Sequence, residues 1–94
     1  MIPGKDTDMK KLERQLKATA NLRRLTILKL LKEKKEMSVG MLAEELRISF
    51  KATSRHLRIL FTAGIVDREQ RSLEVFHRIS QAPGDPISRI VSML

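Results

Sequence analysis

The sequence predicts a mainly α-helical chain carrying one small β-hairpin, ordered α-α-α-α-β-β-α. Three observations carry this expectation. Two apolar-periodic segments, residues 38–46 and 49–63, are separated only by Arg47-Ile48, and so tight a joint between short helices marks a helix-turn-helix pair. Two short runs rich in β-branched, aromatic and charged residues, 65–70 and 73–79, follow directly and read as a hairpin. Well-capped helices precede the pair, and another closes the chain. Five helices with a hairpin between the fourth and fifth make a winged helix-turn-helix.

The first helix is expected from about Asp8 to Ala18, with Thr7 as its cap and Asp8 suited to the positive end of the helix dipole. Met9, Leu12 and Leu16 form one apolar stripe against a charged face of Lys10, Lys11, Glu13, Arg14 and Lys17. Asn21 caps a second helix, Leu22 to about Lys32. Its Leu22, Leu25, Ile27, Leu28, Leu30 and Leu31 cover more than one stripe, so it should be central and largely buried. Ser38 caps the third, with Val39, Leu42, Ala43 and Leu46 at helical spacing. Ser49 caps the fourth, which runs to about Ala63 and stops at Gly64.

The hairpin joint is expected at Arg71-Ser72, without the Asn-Gly or Gly signal of the tightest turns. After the loop Gln81-Ala82-Pro83-Gly84, Asp85 is the expected cap of the last helix, with Pro86 at its first position. That helix carries Ile87, Ile90, Val91 and Leu94. It is about two turns long and needs something to pack on.

Composition narrows the function. At 94 residues the chain is expected to be one domain, 1–94. So small a domain buries a modest fraction of its surface, and a second subunit would add burial. Nineteen Lys and Arg against eleven Asp and Glu give a net charge of +8. That favours an anionic partner, nucleic acid before a membrane surface. With no cysteine, disulfides, thiolate metal sites and thiol switches are excluded. No apolar segment follows Met1-Ile2-Pro3-Gly4-Lys5-Asp6 as a signal peptide would require. Nor does any stretch approach the ~18 apolar residues of a membrane span. A cytoplasmic protein is expected. No Asp/His/Ser constellation or glycine-rich phosphate loop supports an enzyme.

The fourth helix carries the functional signal. At 100° per residue, Lys51, Ser54, Arg55, Arg58 and Thr62 share about one third of the wheel, with Thr53, Leu57 and Leu60 opposite. The segment from Ser49 to Gly64 contains no Asp or Glu. Lys and Arg meet phosphates or guanine edges, and Ser or Thr reaches either. An ordinary solvated charged face is the competing reading. The hairpin adds Arg68, Arg71 and Arg78, with Arg71 expected at the tip and Glu69 and Glu74 diluting the field. The candidate DNA-contact set is therefore Ser49, Lys51, Thr53, Ser54, Arg55, Arg58, Arg68, Arg71 and Arg78.

From Leu16 to Ile79 the chain resembles the ArsR (arsenic-repressor-like) family of winged-helix regulators. Residues 16–28, LKATANLRRLTIL, resemble that family's LKALADPTRLRIL opening. LAEELRIS at 42–49 resembles LAELLGLS, TSRHLRIL at 53–60 resembles VSRHLKVL, AGIV at 63–66 resembles AGLV, and VFHRI at 75–79 resembles the second wing strand VYYRL. The pieces occur in order and at the right spacing over about two thirds of the chain.

The resemblance implies a homodimer that inserts helix 49–63 of each subunit into a major groove of double-stranded DNA and represses by occupancy. It also implies a dimer interface made by the two end helices, about 8–18 and 85–94. Here those present Met9, Leu12 and Leu16, and Ile87, Ile90, Val91 and Leu94. A winged-helix module that binds RNA or a protein is the alternative.

The departures matter as well. Where metal-sensing members carry a CVC segment, this chain has Ser38-Val39-Gly40, which supplies no soft ligand. The last helix has Asp85 but no histidine, and His56 and His77 lie elsewhere, too few ligands for zinc. No metal or cofactor is expected, and no effector is legible. His56 reads as a hydrogen-bonded packing residue. Arg47 stands where the turn commonly has glycine, which suggests a less strained or rearranged backbone there.

Overall fold

The computed structural model describes residues 3–94, with side chains from Asp8 onward. The elements are α1 (Pro3–Thr19), α2 (Leu22–Lys34), β1 (Met37–Ser38), α3 (Val39–Leu46), α4 (Phe50–Thr62), β2 (Val66–Arg71), β3 (Glu74–Ile79) and α5 (Ile87–Ser92). The expected order is present, with one addition. The two residues of β1 pair antiparallel with β3, Met37 opposite His77 and Ser38 opposite Phe76, so the sheet runs β1-β3-β2. A strand of two residues is too short to leave a period in sequence.

Three helix starts rest on side-chain caps. Asn21 accepts from the Arg24 amide, Ser38 from Met41 and Ser49 from Ala52, each satisfying one amide of the first turn. Two expected starts are corrected. α1 begins at Pro3, which places Thr7 inside the helix and not at its cap. At α5 the cap position is Pro86 and no side chain caps it. Asp85 instead reaches Arg89 at 3.5 Å.

The turn between α3 and α4 is not rearranged by Arg47. This residue keeps the left-handed backbone, φ 56 and ψ 44, and a non-glycine residue there costs roughly 1–2 kcal/mol. The amides of Arg47 and Ile48 bond back to the Glu44 and Ala43 carbonyls at 3.2 Å, which closes α3 and offsets the strain. Gly64 ends α4 with φ 75, where a side chain would be strained.

The hairpin joint lies one residue beyond its expected place. Arg71 still pairs with Glu74, leaving Ser72-Leu73 as a two-residue turn. Ser72 takes the positive φ (57) that such turns demand of their first residue.

The core sits where α2, α3, α4, the base of the wing and α5 meet. Ile27, Leu28 and Leu31 of α2 pack with Leu42, Leu57, Leu60, Ile65, Val66 and Ile87. α2 is central, but its burial is narrower than its six apolar residues suggest: Leu25 and Leu30 are half-buried, and Leu22, in the first turn, is 80% exposed. In α1 the buried side chains, among those described, are Gln15, Ala18 and Thr19 near its C-terminal end. Residues 8–14 of α1, by contrast, are all exposed.

Candidate nucleic-acid interface

α4 is held by one face and presents the other. Thr53, Leu57 and Leu60 are buried in the core, and a helix anchored on one stripe projects the opposite stripe outward. Lys51, Arg55, Arg58 and Thr62 are exposed there, Ser54 is half-buried at the edge, and Ser49 is exposed at the cap. Each side chain on this ridge is cationic or hydroxyl-bearing.

Thr53 is a correction. It is 0% exposed, and its hydroxyl donates to the Ser49 carbonyl at 2.9 Å. The residue belongs to the buried stripe, as its wheel position implies, and has no surface to offer DNA.

The wing arginines differ from one another. The Arg68 guanidinium lies over the Phe61 ring of α4, 3.8 Å from its centroid, so the wing is stacked beside α4. Arg71 is not the expected free cation at the tip. It ends β2, and its two terminal nitrogens donate to both carboxylate oxygens of Glu36 at 2.7 and 2.9 Å. One of them also donates to Glu69 at 3.1 Å, and the guanidinium lies 4.7 Å from the centre of Phe76. Arg78 donates to the same Glu69 at 3.3 Å. The Arg71 hydrogen bonds hold both Glu36 and Glu69 below the usual carboxylate range and push Arg71 further up. These contacts tie the wing to the loop between α2 and β1.

Three residues of this region escaped the sequence reading as contacts. Glu36 lies 35 positions from Arg71, so no local periodicity pairs them. Arg24 is a three-way clamp: its Nε donates to the Ala18 carbonyl at 2.6 Å, one terminal nitrogen to the Lys17 carbonyl at 3.3 Å and the other to His56 Nδ1 at 3.2 Å. It holds the end of α1 and the flank of α4 from α2. Phe50, the first residue of α4, is exposed beside the cationic ridge.

The histidines are structural. Burial first, then the nearby Arg24, Arg23 and Arg55 guanidinium groups, holds His56 below its ordinary value. His77, in the middle of the sheet, is pushed down by burial and by Arg68. Its Nδ1 has no hydrogen-bond partner among the described residues. Among these residues no group of three or more His, Asp or Glu gathers as a metal site would require. No helix there is long and apolar enough to cross a membrane.

The end helices also divide. Met9 is 69% exposed, and Leu12 and Leu16 are exposed on the same stripe of α1. Ile90, Val91 and Leu94 are half-buried against the chain's own core. Ile87 is a further correction: at 0% exposure it is a core residue, and a partner could not reach it without unpacking α5.

Comparison with known proteins agrees with this architecture. The family model described as bacterial regulatory protein, arsR family, matches residues 21–68. Among solved structures, HlyU from Vibrio cholerae is 34% identical, with a TM-score of 0.78 over 92% of this chain and 89% of that one. A homodimeric winged helix-turn-helix DNA-binding domain from Mycobacterium bovis is 27% identical, with a TM-score of 0.82 over 99% of this chain and 82% of that one. The transcriptional repressor BigR from Xylella fastidiosa is 25% identical, with a TM-score of 0.73 over 97% and 86% of the two chains. No curated protein matches the sequence. With half the chain inside the family model, and the tight helix pair and stacked wing in place, the chain belongs to the arsR family of bacterial regulatory proteins and is a winged helix-turn-helix transcription regulator.

Proposed function

We propose that the protein represses transcription in the cytoplasm by occupying an operator as a homodimer, with α4 of each subunit in a major groove. The observation that carries this reading is the acid-free ridge of Lys51, Arg55, Arg58 and Thr62, projected outward by the buried stripe behind it. In a helix-turn-helix the N-terminal residues of the second helix meet base edges. Ser49, Lys51 and Ser54 therefore contact phosphates or bases first, with Arg55 and Arg58 behind them. Arg68 holds the flanking backbone from the wing.

The exposed stripe Met9, Leu12 and Leu16 supports a dimer, because it would otherwise leave apolar surface in water. With Ile90, Val91 and Leu94 it forms the proposed subunit interface. A two-fold dimer spaces its α4 helices about one turn of DNA, ~34 Å, apart and so fits a palindromic site. The Mycobacterium bovis domain is a homodimer and BigR is a repressor, which supports both parts of the reading.

Arg55→Ala tests the docking. The variant should lose affinity for its operator by about tenfold or more and relax specificity at one position of each half-site. For the parent, about six neutralised phosphates per dimer give a log–log salt slope near −5. A variant that binds as the parent does, or a flat salt titration, refutes the arrangement.

A further inference from the structure

Lys10, Arg14 and Lys17 recur at i, i+4 and i+7 of α1 and form one cationic stripe beside the apolar one. Two hollows open between this stripe and α4. The first, of about 490 Å³, is bounded by Lys10, Glu13, Arg14 and Lys17, by Arg24 of α2 and by Ile59 of α4, with Ala18 in its wall. The second, of about 400 Å³, is bounded by Lys10, Lys11 and Arg14 and by Thr62, Ala63 and Gly64 at the end of α4. Lys10 and Arg14 belong to both, so the two form one trough. Each half falls within the ~300–1,000 Å³ of small-molecule sites. The charge in its walls is mostly of one sign. Glu13 is the one acid lining it, and it lies 3.7 Å from Lys17. Among the described residues no carboxylate pairs with Arg14 or Arg24. Arg24 bonds two carbonyls and an imidazole nitrogen, none of them anionic, and each of its terminal nitrogens keeps a second N–H beyond those bonds. Ile59, 39% exposed, gives the trough an apolar side.

We infer that this trough is an effector site for an organic anion, a carboxylate on an elongated apolar body, and that its occupancy lowers operator affinity. The carboxylate lies at Arg14, Lys17 and Arg24. The last carbonyls of α4 make the Gly64 end the wrong place for negative charge, so the apolar body runs along Ile59 and Ala63. A carboxylate at Arg24 draws on the side chain that holds α4 to both α1 and α2. Its charge also weakens the positive field that attracts DNA. Both effects act against operator binding, and by linkage DNA lowers the affinity for the anion by the same factor. Anion binding stands without DNA, whereas its effect on the operator rests on the DNA-binding reading of α4.

Calorimetric titration of decanoate into the full chain, below its micelle concentration and without DNA, tests the site. The parent should bind one decanoate per subunit, and Lys10→Gln together with Arg14→Gln should weaken it by about tenfold or more. Lys32→Gln together with Lys34→Gln removes the same two charges from the last turn of α2 and should leave binding unchanged. Decyltrimethylammonium has the body with the opposite charge, and inorganic phosphate has the charge without the body. Each should bind about tenfold or more weakly than decanoate. No decanoate binding, an equal loss in both double variants, or either control probe binding as well as decanoate overturns the inference. The duplex that the parent selects best from a random-sequence pool then tests the coupling, by fluorescence anisotropy with and without saturating decanoate. Decanoate should weaken duplex binding by about fivefold or more in the parent and have no effect in the Lys10→Gln, Arg14→Gln variant. Unchanged affinity in the parent, or an equal effect in that variant, overturns the effector role. A parent that binds decanoate but selects no duplex overturns the DNA-binding reading, and the effector role with it, and leaves the anion site standing.

Discussion

Arg24 and His56 meet between α2 and α4, a terminal guanidinium nitrogen 3.2 Å from the imidazole Nδ1. An arginine only donates, so Nδ1 must be the acceptor and the ring must be neutral, with its proton on Nε2. The same arginine bonds the carbonyls of Lys17 and Ala18, so one side chain sets α4 relative to both α1 and α2. Protonating His56 would turn this contact into a repulsion between two cations.

The pH dependence follows from that geometry. Burial, then Arg24, Arg23 and Arg55, holds His56 below its ordinary 6.5, and burial and Arg68 do the same to His77. The unfolded chain therefore binds protons that the folded one refuses. The stabilisation is complete above about pH 6.5 and is lost as pH falls through the lower folded values. Thermal melts should show Tm dropping as the pH falls below about 6.5. In His56→Gln, which keeps an acceptor and does not titrate, the drop should be smaller, with His77 supplying the remainder. An identical pH profile in the variant would exclude His56 as a contributor.

Glu36 restrains a wing cation. In Glu36→Ala the Arg71 guanidinium loses its two-point partner and keeps only Glu69. The released charge should reach a phosphate, raising affinity for a generic duplex a few-fold at low salt and steepening the salt slope by up to about one unit per subunit. Fluorescence anisotropy over a salt series measures both quantities. An unchanged slope would mean that Arg71 stays folded back against Glu69 and Phe76.

The α1 stripe should govern assembly without governing the fold. Leu12 and Leu16 are exposed, so Leu12→Glu together with Leu16→Glu removes little from the subunit's own core. It does place charge in an apolar seam, which is expensive to bury. Sedimentation should show a shift to monomer at micromolar concentration, with helical circular dichroism retained. Operator binding should weaken by more than tenfold, because two half-sites no longer share one protein. A dimer that survives both substitutions places the interface elsewhere.

Ile87 tests the opposite property of α5. Its side chain is fully buried with Ile27, Leu28 and Leu31 in the core cluster, so Ile87→Ala should cost about 2–5 kcal/mol of folding stability. Urea unfolding of the subunit would report it. A loss well below about 1 kcal/mol would show that α5 detaches from the core.

The sequence by itself determined the order of the five helices and the hairpin, though not the two-residue β1, and also the caps at Asn21, Ser38 and Ser49 and the stripe of α4 that faces outward. All of these follow from short-range physics: a hydroxyl or amide reaching an amide three residues on, and a 3.6-residue period separating Thr53, Leu57 and Leu60 from Lys51, Arg55 and Arg58. Net charge and the absence of cysteine likewise required only counting. The tertiary structure decided which charges are available and which apolar residues are already occupied. Arg71 and Glu36 are 35 residues apart, as His56 and Arg24 are 32 apart, and pairing over such distances follows from packing, not periodicity. Ile87 and Leu73 are similar side chains, yet one is buried and the other is exposed, because α5 folds back onto α2 while the Ser72-Leu73 turn lies at the tip of the hairpin, outside the core.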